Sequence, residues 1–239
     1  MFNVNLKEKE KVVQQMFTSI AESYDLNNSL LSFGLHHSWK RFAAGKVLVK
    51  EDGRCLDVCA GTLDIAMLLA RRGGLKGLVV GLDLNHRMLL VGKEKLLKYS
   101  LDKRVFLVQG NAESLNFPDG IFDAVTVGFG IRNVTDINRA FSEICRVLKP
   151  GGRVVCLEFS RPVNALLRGL YDLYSFKILP GIGKIVARDN TGVYQYLPDS
   201  IRKFPDQERL ADTMRKAGFP RVEYTNLSGG IVAVHVGIK

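Results

Sequence analysis

The sequence predicts an α/β protein built on a doubly wound, mostly parallel sheet whose last strand runs antiparallel, with helices in front and a helical insertion late in the chain. Three observations carry this. The run Arg54-Cys55-Leu56-Asp57-Val58 passes through the turn Cys59-Ala60-Gly61-Thr62-Leu63-Asp64 into a helical pattern of Ile65, Leu68 and Leu69. Strand, Gly-containing turn and helix in that order open a nucleotide-binding α/β domain. Apolar runs at 77–84, 104–108, 122–127 and 153–159 then alternate with helical patterns, as crossover connections between parallel strands require. The chain ends in two strand-like runs, 222–227 and 231–238, joined by Ser228-Gly229-Gly230, which makes an antiparallel pair.

The elements follow in order. Residues 5–22 place Val12, Val13, Met16, Phe17 and Ile20 on one stripe, and 36–48 do the same with Trp39, Phe42, Ala43 and Val47. Residues 1–52 are thus expected to form a helical cap ahead of a core at 53–160. Between the two helices, Tyr24 to Trp39 is polar and aromatic beyond the needs of a connector, and is expected to close over a ligand. Run 77–84 is a buried strand ending in Asp83, about 20 residues past the Gly turn, where an acid accepts hydrogen bonds from ribose hydroxyls. After strand 104–108, Asn111 and the backbone around Ala112 are placed to read an adenine edge. Strand 122–127 opens into Gly128-Phe129-Gly130-Ile131-Arg132-Asn133, where two glycines admit a close ligand. Residues 135–149 read as a helix stopped by Pro150-Gly151-Gly152. The insertion at 161–205 holds helical pieces, and 206–239 is a closing helix and hairpin.

At 46% hydrophobic and 24% charged, the 239 residues can bury a real core. No apolar stretch approaches the roughly 18 residues that span a bilayer, and the amino terminus is too charged for a signal peptide, so a cytoplasmic protein is expected. The four cysteines show no metal-ligand spacing and are read as reduced and structural; no metal is expected. A net charge of +10 suits an anionic surface. It concentrates at 161–205, which hold seven Lys or Arg against three acids, interleaved with Tyr171, Tyr174, Phe176, Tyr194 and Tyr196. That mixture fits a segment facing an anionic membrane, or simply a solvated face.

The turn at 59–64 also limits the ligand. A pyrophosphate needs several glycines at the helix start, whereas this turn has only Gly61 and adds Asp64. A nicotinamide dinucleotide is disfavoured. S-adenosylmethionine has no phosphate and carries an ammonium and a sulfonium, so Asp57 and Asp64 suit it by charge; Asp64 reads equally well as a helix cap.

Two segments, Tyr24 to Trp39 and Arg146 to Ser160, closely resemble the C-methyltransferases of menaquinone and ubiquinone biosynthesis. Further likeness at Phe129 to Val134, Tyr174-Ser175-Phe176 with Leu179-Pro180, and Tyr194 to Ile201 extends it over nearly the whole chain. The resemblance implies a seven-stranded class I S-adenosylmethionine-dependent methyltransferase. Carried over by position, cofactor contacts fall on Thr62, Asp83, Asn111, Ala112 and Gly128, beside Asp57 and Gly61. Gly128 stands where relatives often have Ser, and Leu63 where they commonly have Gly; a side chain at 63 is expected to narrow the methionine end of the pocket. The implied substrate is a polyprenyl quinol methylated on a ring carbon, demethylmenaquinol first and a polyprenyl methoxybenzoquinol second. In that reading Arg132, always protonated, stabilises the phenolate and Asn133 holds the same oxygen. The proton acceptor is left among His36, His37, Asp25 and a water held by Tyr24. A non-catalytic scaffold of a quinone-making complex is the competing reading. Nucleic acid is not an expected partner, peripheral contact with an anionic membrane is, and a homodimer is left open.

Overall fold

Strand β1, Cys55–Val58, is buried at every position, as a strand with helices on both faces must be. The computed structural model describes residues 6–72, 76–174 and 193–239. In it β1 lies at the centre of a sheet completed by β2 (Val79–Asp83), β3 (Val105–Gln109), β4 (Phe122–Gly128), β5 (Leu148–Phe159), β6 (Arg221–Leu227) and β7 (Val232–Ile238). The order is β3-β2-β1-β4-β5-β7-β6, with β7 antiparallel to both neighbours and every other pair parallel. The order reverses between β1 and β4, so the crevice beyond their carboxyl ends is where this topology binds ligands.

Helices α1 (Leu6–Ile20), α2 (Tyr24–Leu31) and α3 (Leu35–Gly45) precede the sheet. Next come α4 (Asp64–Ala70), α5 (His86–Lys98) and α6 (Ile137–Val147) between strands, then α7 (Ala165–Leu173), α8 (Val193–Lys203) and α9 (Gln207–Lys216). Asn85, Asp136, Asn164 and Asp206 each cap a helix by accepting a first-turn N–H. One apolar layer packs Phe122, Phe141, Ile144, Met214 and Phe219 on one sheet face; the other packs Trp39, Val47, Leu63, Ile65 and Leu89.

One element is more regular than the sequence reading implied and one begins earlier. Residues 24–31 and 35–39, expected to close over a ligand, are helical. Their polar groups are spent locally: the Ser29 and Ser32 hydroxyls donate to the Asp25 and Asn28 carbonyls one turn back, and Asn27 Nδ2 donates to Ser23 Oγ. The chain then reverses through Phe33 and Gly34, both at positive φ, into α3. Strand β5 begins at Leu148 rather than at 153. Leu148 pairs with Phe122 and Arg153 with Ala124, so five steps on one strand face two on the other and Lys149–Gly152 bulge out. Pro150 has no N–H to offer a ladder, and a bulge asks for none. Phe176, Lys177, Leu179, Pro180 and Lys184 of the insertion lie outside the described residues.

Candidate active site

Between β1 and α4 the cofactor loop holds Cys59, Gly61 and Leu63 at positive φ, and Phe129 after β4 does the same. For non-Gly residues that conformation costs about 1–2 kcal/mol each, strain that concentrates at functional sites. Leu63 recovers it by packing. It is fully buried and points between β2 and α5, where a Cβ on Gly81 would lie 2.5 Å from Leu63 Cδ2 and one on Gly92 2.6 Å from its Cγ. Leu63 therefore does not narrow the pocket, contrary to the expectation above. At Gly128 a Cβ would lie 2.3 Å from Ile65 Cδ1, so Ile65 fills the space that a Ser side chain would take.

A cavity of about 90 Å³ opens beside this loop, lined among others by Gly61, Asp83, Asn111, Ala112, Gly128 and Asn133. Asp83 Oδ2 accepts the Gly61 N–H at 2.8 Å and Oδ1 the Asn85 N–H at 2.7 Å, leaving each oxygen a second lone pair for a ligand hydroxyl. Burial raises the Asp83 pKa against those N–H groups. Asn111 Oδ1 accepts the Glu113 N–H at 2.8 Å, so its amide meets a ligand as a donor. Asn85 Nδ2 donates to Gln14 O and Thr18 Oγ1, tying α1 across the cavity mouth. Asp57 is fully buried between Thr126 Oγ1 (2.6 Å) and Ala66 N (3.1 Å), and burial pushes its pKa up to about 7.

Asp64 is not a free counter-charge for an ammonium. It pairs with Lys40 at 2.7 Å and also with Lys95, which bonds Asp25 at 2.6 Å; Thr62 Oγ1 donates to Asp25 at 2.6 Å. Burial opposes ionisation of Asp64, but the Lys40 and Lys95 ammoniums outweigh it and hold its pKa below the usual carboxylate range. Burial likewise pulls on Lys40, which Asp64 more than reverses. With two acids and two lysines the cluster is neutral overall, so simple charge complementarity at Asp64 does not hold. Asp25, its oxygens taken by Thr62 and Lys95, lines none of the cavities described here.

A second cavity, of about 330 Å³ and mostly apolar, adjoins the first; Phe17, Tyr24 and Phe129 line both. His36, Lys40, Arg132 and Tyr196 supply polar atoms to its wall. Arg132 Nη1 donates to Glu158 Oε1 at 2.7 Å and to the Phe129 carbonyl, while its Nε is buried without a partner among the described residues. Burial raises the Glu158 pKa although Arg132 opposes it. Asn133 sits on the cofactor side and meets the larger cavity through Tyr196, whose hydroxyl donates to Asn133 Oδ1 at 3.0 Å. His37 is exposed and lines neither cavity. Among the described residues no cluster of His, Cys, Asp or Glu is arranged to hold a metal.

The model of the ubiE/COQ5 methyltransferase family matches residues 4–239. The chain belongs to that family. It is 49% identical over 233 residues to the ubiquinone/menaquinone biosynthesis C-methyltransferase UbiE of Francisella philomiragia, covering 98% of this chain and 93% of that one. To the protein of the same name from Pectobacterium atrosepticum it is 50% identical over 232 residues, 97% and 92% of the two chains. In fold it is similar to the [4+2]-cyclase SpnF, at TM-score 0.70, 17% identity and coverage of 95% and 94%. A Thermotoga maritima S-adenosylmethionine-dependent methyltransferase superposes at TM-score 0.65, 22% identity and coverage of 94% and 98%. This family member is thus an S-adenosylmethionine-dependent C-methyltransferase of class I fold.

The donor set of the smaller cavity fits S-adenosylmethionine. Asp83 and Glu113 would repel a pyrophosphate, whereas an uncharged ribose and adenine match Asp83 and the Asn111–Ala112 edge. Sequence reasoning missed Lys40, Lys95, Glu158 and Tyr196 as site residues. Lys95 lies on α5 and Glu158 on β5, and no local pattern marks either as the partner of Asp25 or Arg132.

Two outcomes follow. Gly128→Ser should lower the melting temperature, and adding Ile65→Val, which deletes the clashing Cδ1, should recover most of the loss; a double-mutant cycle should give coupling of about 1 kcal/mol or more. Asp57 holds its proton to higher pH folded than unfolded, so its contribution to stability is full below about pH 4 and fades as pH rises toward 7, by up to about 4 kcal/mol. Asp83 and Glu158 shift in the same direction. Denaturant midpoints from pH 5 to 8 should therefore fall less steeply in Asp57→Asn than in the unaltered protein; parallel slopes would refute this role.

Proposed function

We propose that the protein methylates a ring carbon of a polyprenyl quinol, a naphthoquinol or a benzoquinol, as the names of its relatives suggest. One observation carries the reading: a large apolar cavity shares a wall of three aromatic side chains with the nucleoside cavity and holds a buried guanidinium with an unsatisfied N–H. The smaller cavity would hold S-adenosylmethionine through Asp83, Asn111, Ala112 and the Gly61 and Gly128 backbone, with Thr62 and Asp57 in the small recess beside it at the amino-acid end. When bound there, it supplies an electrophilic methyl group.

The protein's share is to make the ring nucleophilic and to aim it. A ring carbon becomes reactive when a neighbouring hydroxyl loses its proton and the oxygen pushes charge into the ring. The Arg132 guanidinium only donates, so it stabilises that oxygen as an anion and does not remove its proton. Glu158 and the Phe129 carbonyl fix the guanidinium through Nη1, which leaves its other N–H groups as donors for substrate. Asn133 and Tyr196 brace the boundary between the two cavities. The aromatic wall excludes water, and holding the reactants in line supplies on the order of 7–11 kcal/mol.

The cavity mouth suggests how a lipid tail is handled. Phe33 is 79% exposed at the α2–α3 turn, and Leu166, Leu170 and Leu173 form an outward stripe on α7, with Arg161 and Arg168 nearby in the chain. Tyr174 joins the two elements by donating to the Leu31 carbonyl at 2.8 Å. We take this rim as a peripheral contact with anionic membrane; among the described residues no helix is long and apolar enough to cross one.

Arg132→Ala should bind S-adenosylmethionine in calorimetry as the parent does and lose about 100-fold or more in turnover on each quinol assayed in parallel. Equal loss of binding and turnover would place Arg132 in cofactor binding instead. A protein that bound no S-adenosylmethionine would be a scaffold. In flotation with anionic liposomes, Phe33→Ser with Leu166→Ser, or charge removal at Arg161 and Arg168, should shift the protein to the unbound fraction, and no shift would remove the membrane contact.

A further inference from the structure

Among the described residues, one ring nitrogen in the wall of the apolar cavity has no partner. His36, in the first turn of α3, is only 3% exposed, lines the cavity, and has its Nε2 buried without a hydrogen bond. An orphaned buried polar atom costs about 1–3 kcal/mol, and a folded protein keeps one where a ligand completes it.

What the ligand must bring follows from the protons. Ser32 Oγ donates its single proton to the Asn28 carbonyl at 2.6 Å, so toward His36 Nδ1, 2.8 Å away, it accepts. Nδ1 therefore carries the imidazole proton and Nε2 a bare lone pair. The ring is neutral, because burial, the Lys40 ammonium and the His37 ring at 3.8 Å lower its pKa to about 4 against the weaker pull of Asp64 and Asp25. Lys40 and Arg132, which also line this cavity, only donate. The missing partner is a hydroxyl or an N–H.

We propose that His36 Nε2 accepts the hydroxyl proton of the quinol and thereby makes this site select the reduced ring over the quinone. The proposal rests on the quinol methylation proposed above. A quinol offers O–H donors; a quinone offers carbonyl lone pairs, which would face the Nε2 lone pair and leave both unsatisfied. In the step, the O–H bond breaks, its electron pair stays on oxygen, and an N–H bond forms at Nε2, leaving an imidazolium and a phenolate. After the ring carbon has been alkylated, the imidazolium returns its proton to that oxygen and the ring hydrogen leaves to solvent, so each turnover releases one proton. The other candidate acceptors are less suited: Asp25 is held by Thr62 and Lys95, and His37 stands outside the cavity.

Trp39, the single tryptophan, lines the same cavity and reports on binding. Its fluorescence should be titrated in the full-length protein with a short-chain naphthoquinol under dithionite and with the matching quinone in air. The parent protein should bind the quinol at least about 10-fold more tightly, the worth of one mismatched buried hydrogen bond. His36→Phe, which keeps the apolar volume, should bind both forms within about 3-fold and lose about 100-fold or more in turnover. His36→Gln, whose carboxamide oxygen still accepts, should keep part of the preference. Ser32→Ala, which frees the tautomer and removes a single hydroxyl from the cavity wall, should weaken it. Equal affinities in the parent protein, or an unchanged preference and rate in His36→Phe, would overturn the assignment of His36 while leaving quinol methylation intact. Failure of the parent protein to methylate any quinol would overturn the reading beneath it.

Discussion

The two cavities share a wall because a neutral cluster of four charges pins the leading helices to the cofactor loop. Asp25 comes from α2, Lys40 from α3, Asp64 from α4 and Lys95 from α5, with Thr62 of the loop between them. Removing one member would strand a partly buried charge, a change worth about 3–5 kcal/mol in fully buried pairs and less at these partly exposed ones. The aromatic partition builds on that constraint: Tyr24 adjoins Asp25 on α2, and its ring packs edge-on against Phe17 of α1 with centroids 6.0 Å apart.

The loop itself trades backbone strain against packing. Leu63 holds a conformation that glycine would adopt freely, and the return is a side chain driven between β2 and α5. Gly81 and Gly92 are bare for that reason, since a Cβ on either would meet Leu63 well inside contact distance. A helix interior ordinarily disfavours Gly by about 1 kcal/mol relative to Ala, so Gly92 marks a close approach. Ile65 and Gly128 repeat the exchange on the other side of the loop. Departures that look like defects one residue at a time are thus matched pairs in three dimensions.

This explains what was legible in the sequence. The strands and the antiparallel closing strand follow from apolar runs and turn residues, which are local signals; Asp83 follows from its place after the Gly turn. The start of β5 was hidden because Pro150-Gly151-Gly152 ends a helix and also permits a bulge, and only pairing with β4 distinguishes the two. The direction of Leu63 depends on two glycines 18 and 29 positions away. The partners of Asp25, Asp64 and Arg132 come from other elements at no fixed spacing, so charge alone suggested a ligand where the fold supplies lysines and a glutamate.

Arg132 and Glu158 show why the active groups need such support. A guanidinium in an apolar cavity is costly unless paired, and a fully compensating carboxylate would cancel the field that a developing oxyanion requires. Here Glu158 binds one nitrogen, Nη1, and the Phe129 carbonyl shares it, so the charge is anchored from one side while Nε stays unpaired. Burial raises the Glu158 pKa, and the Arg132 guanidinium opposes that rise. The pair is therefore a means of keeping a cation dry and aimed. His36 complements it in the same cavity as a neutral acceptor held neutral by burial and by Lys40, so donor and acceptor face the substrate oxygen without neutralising each other before the ring arrives.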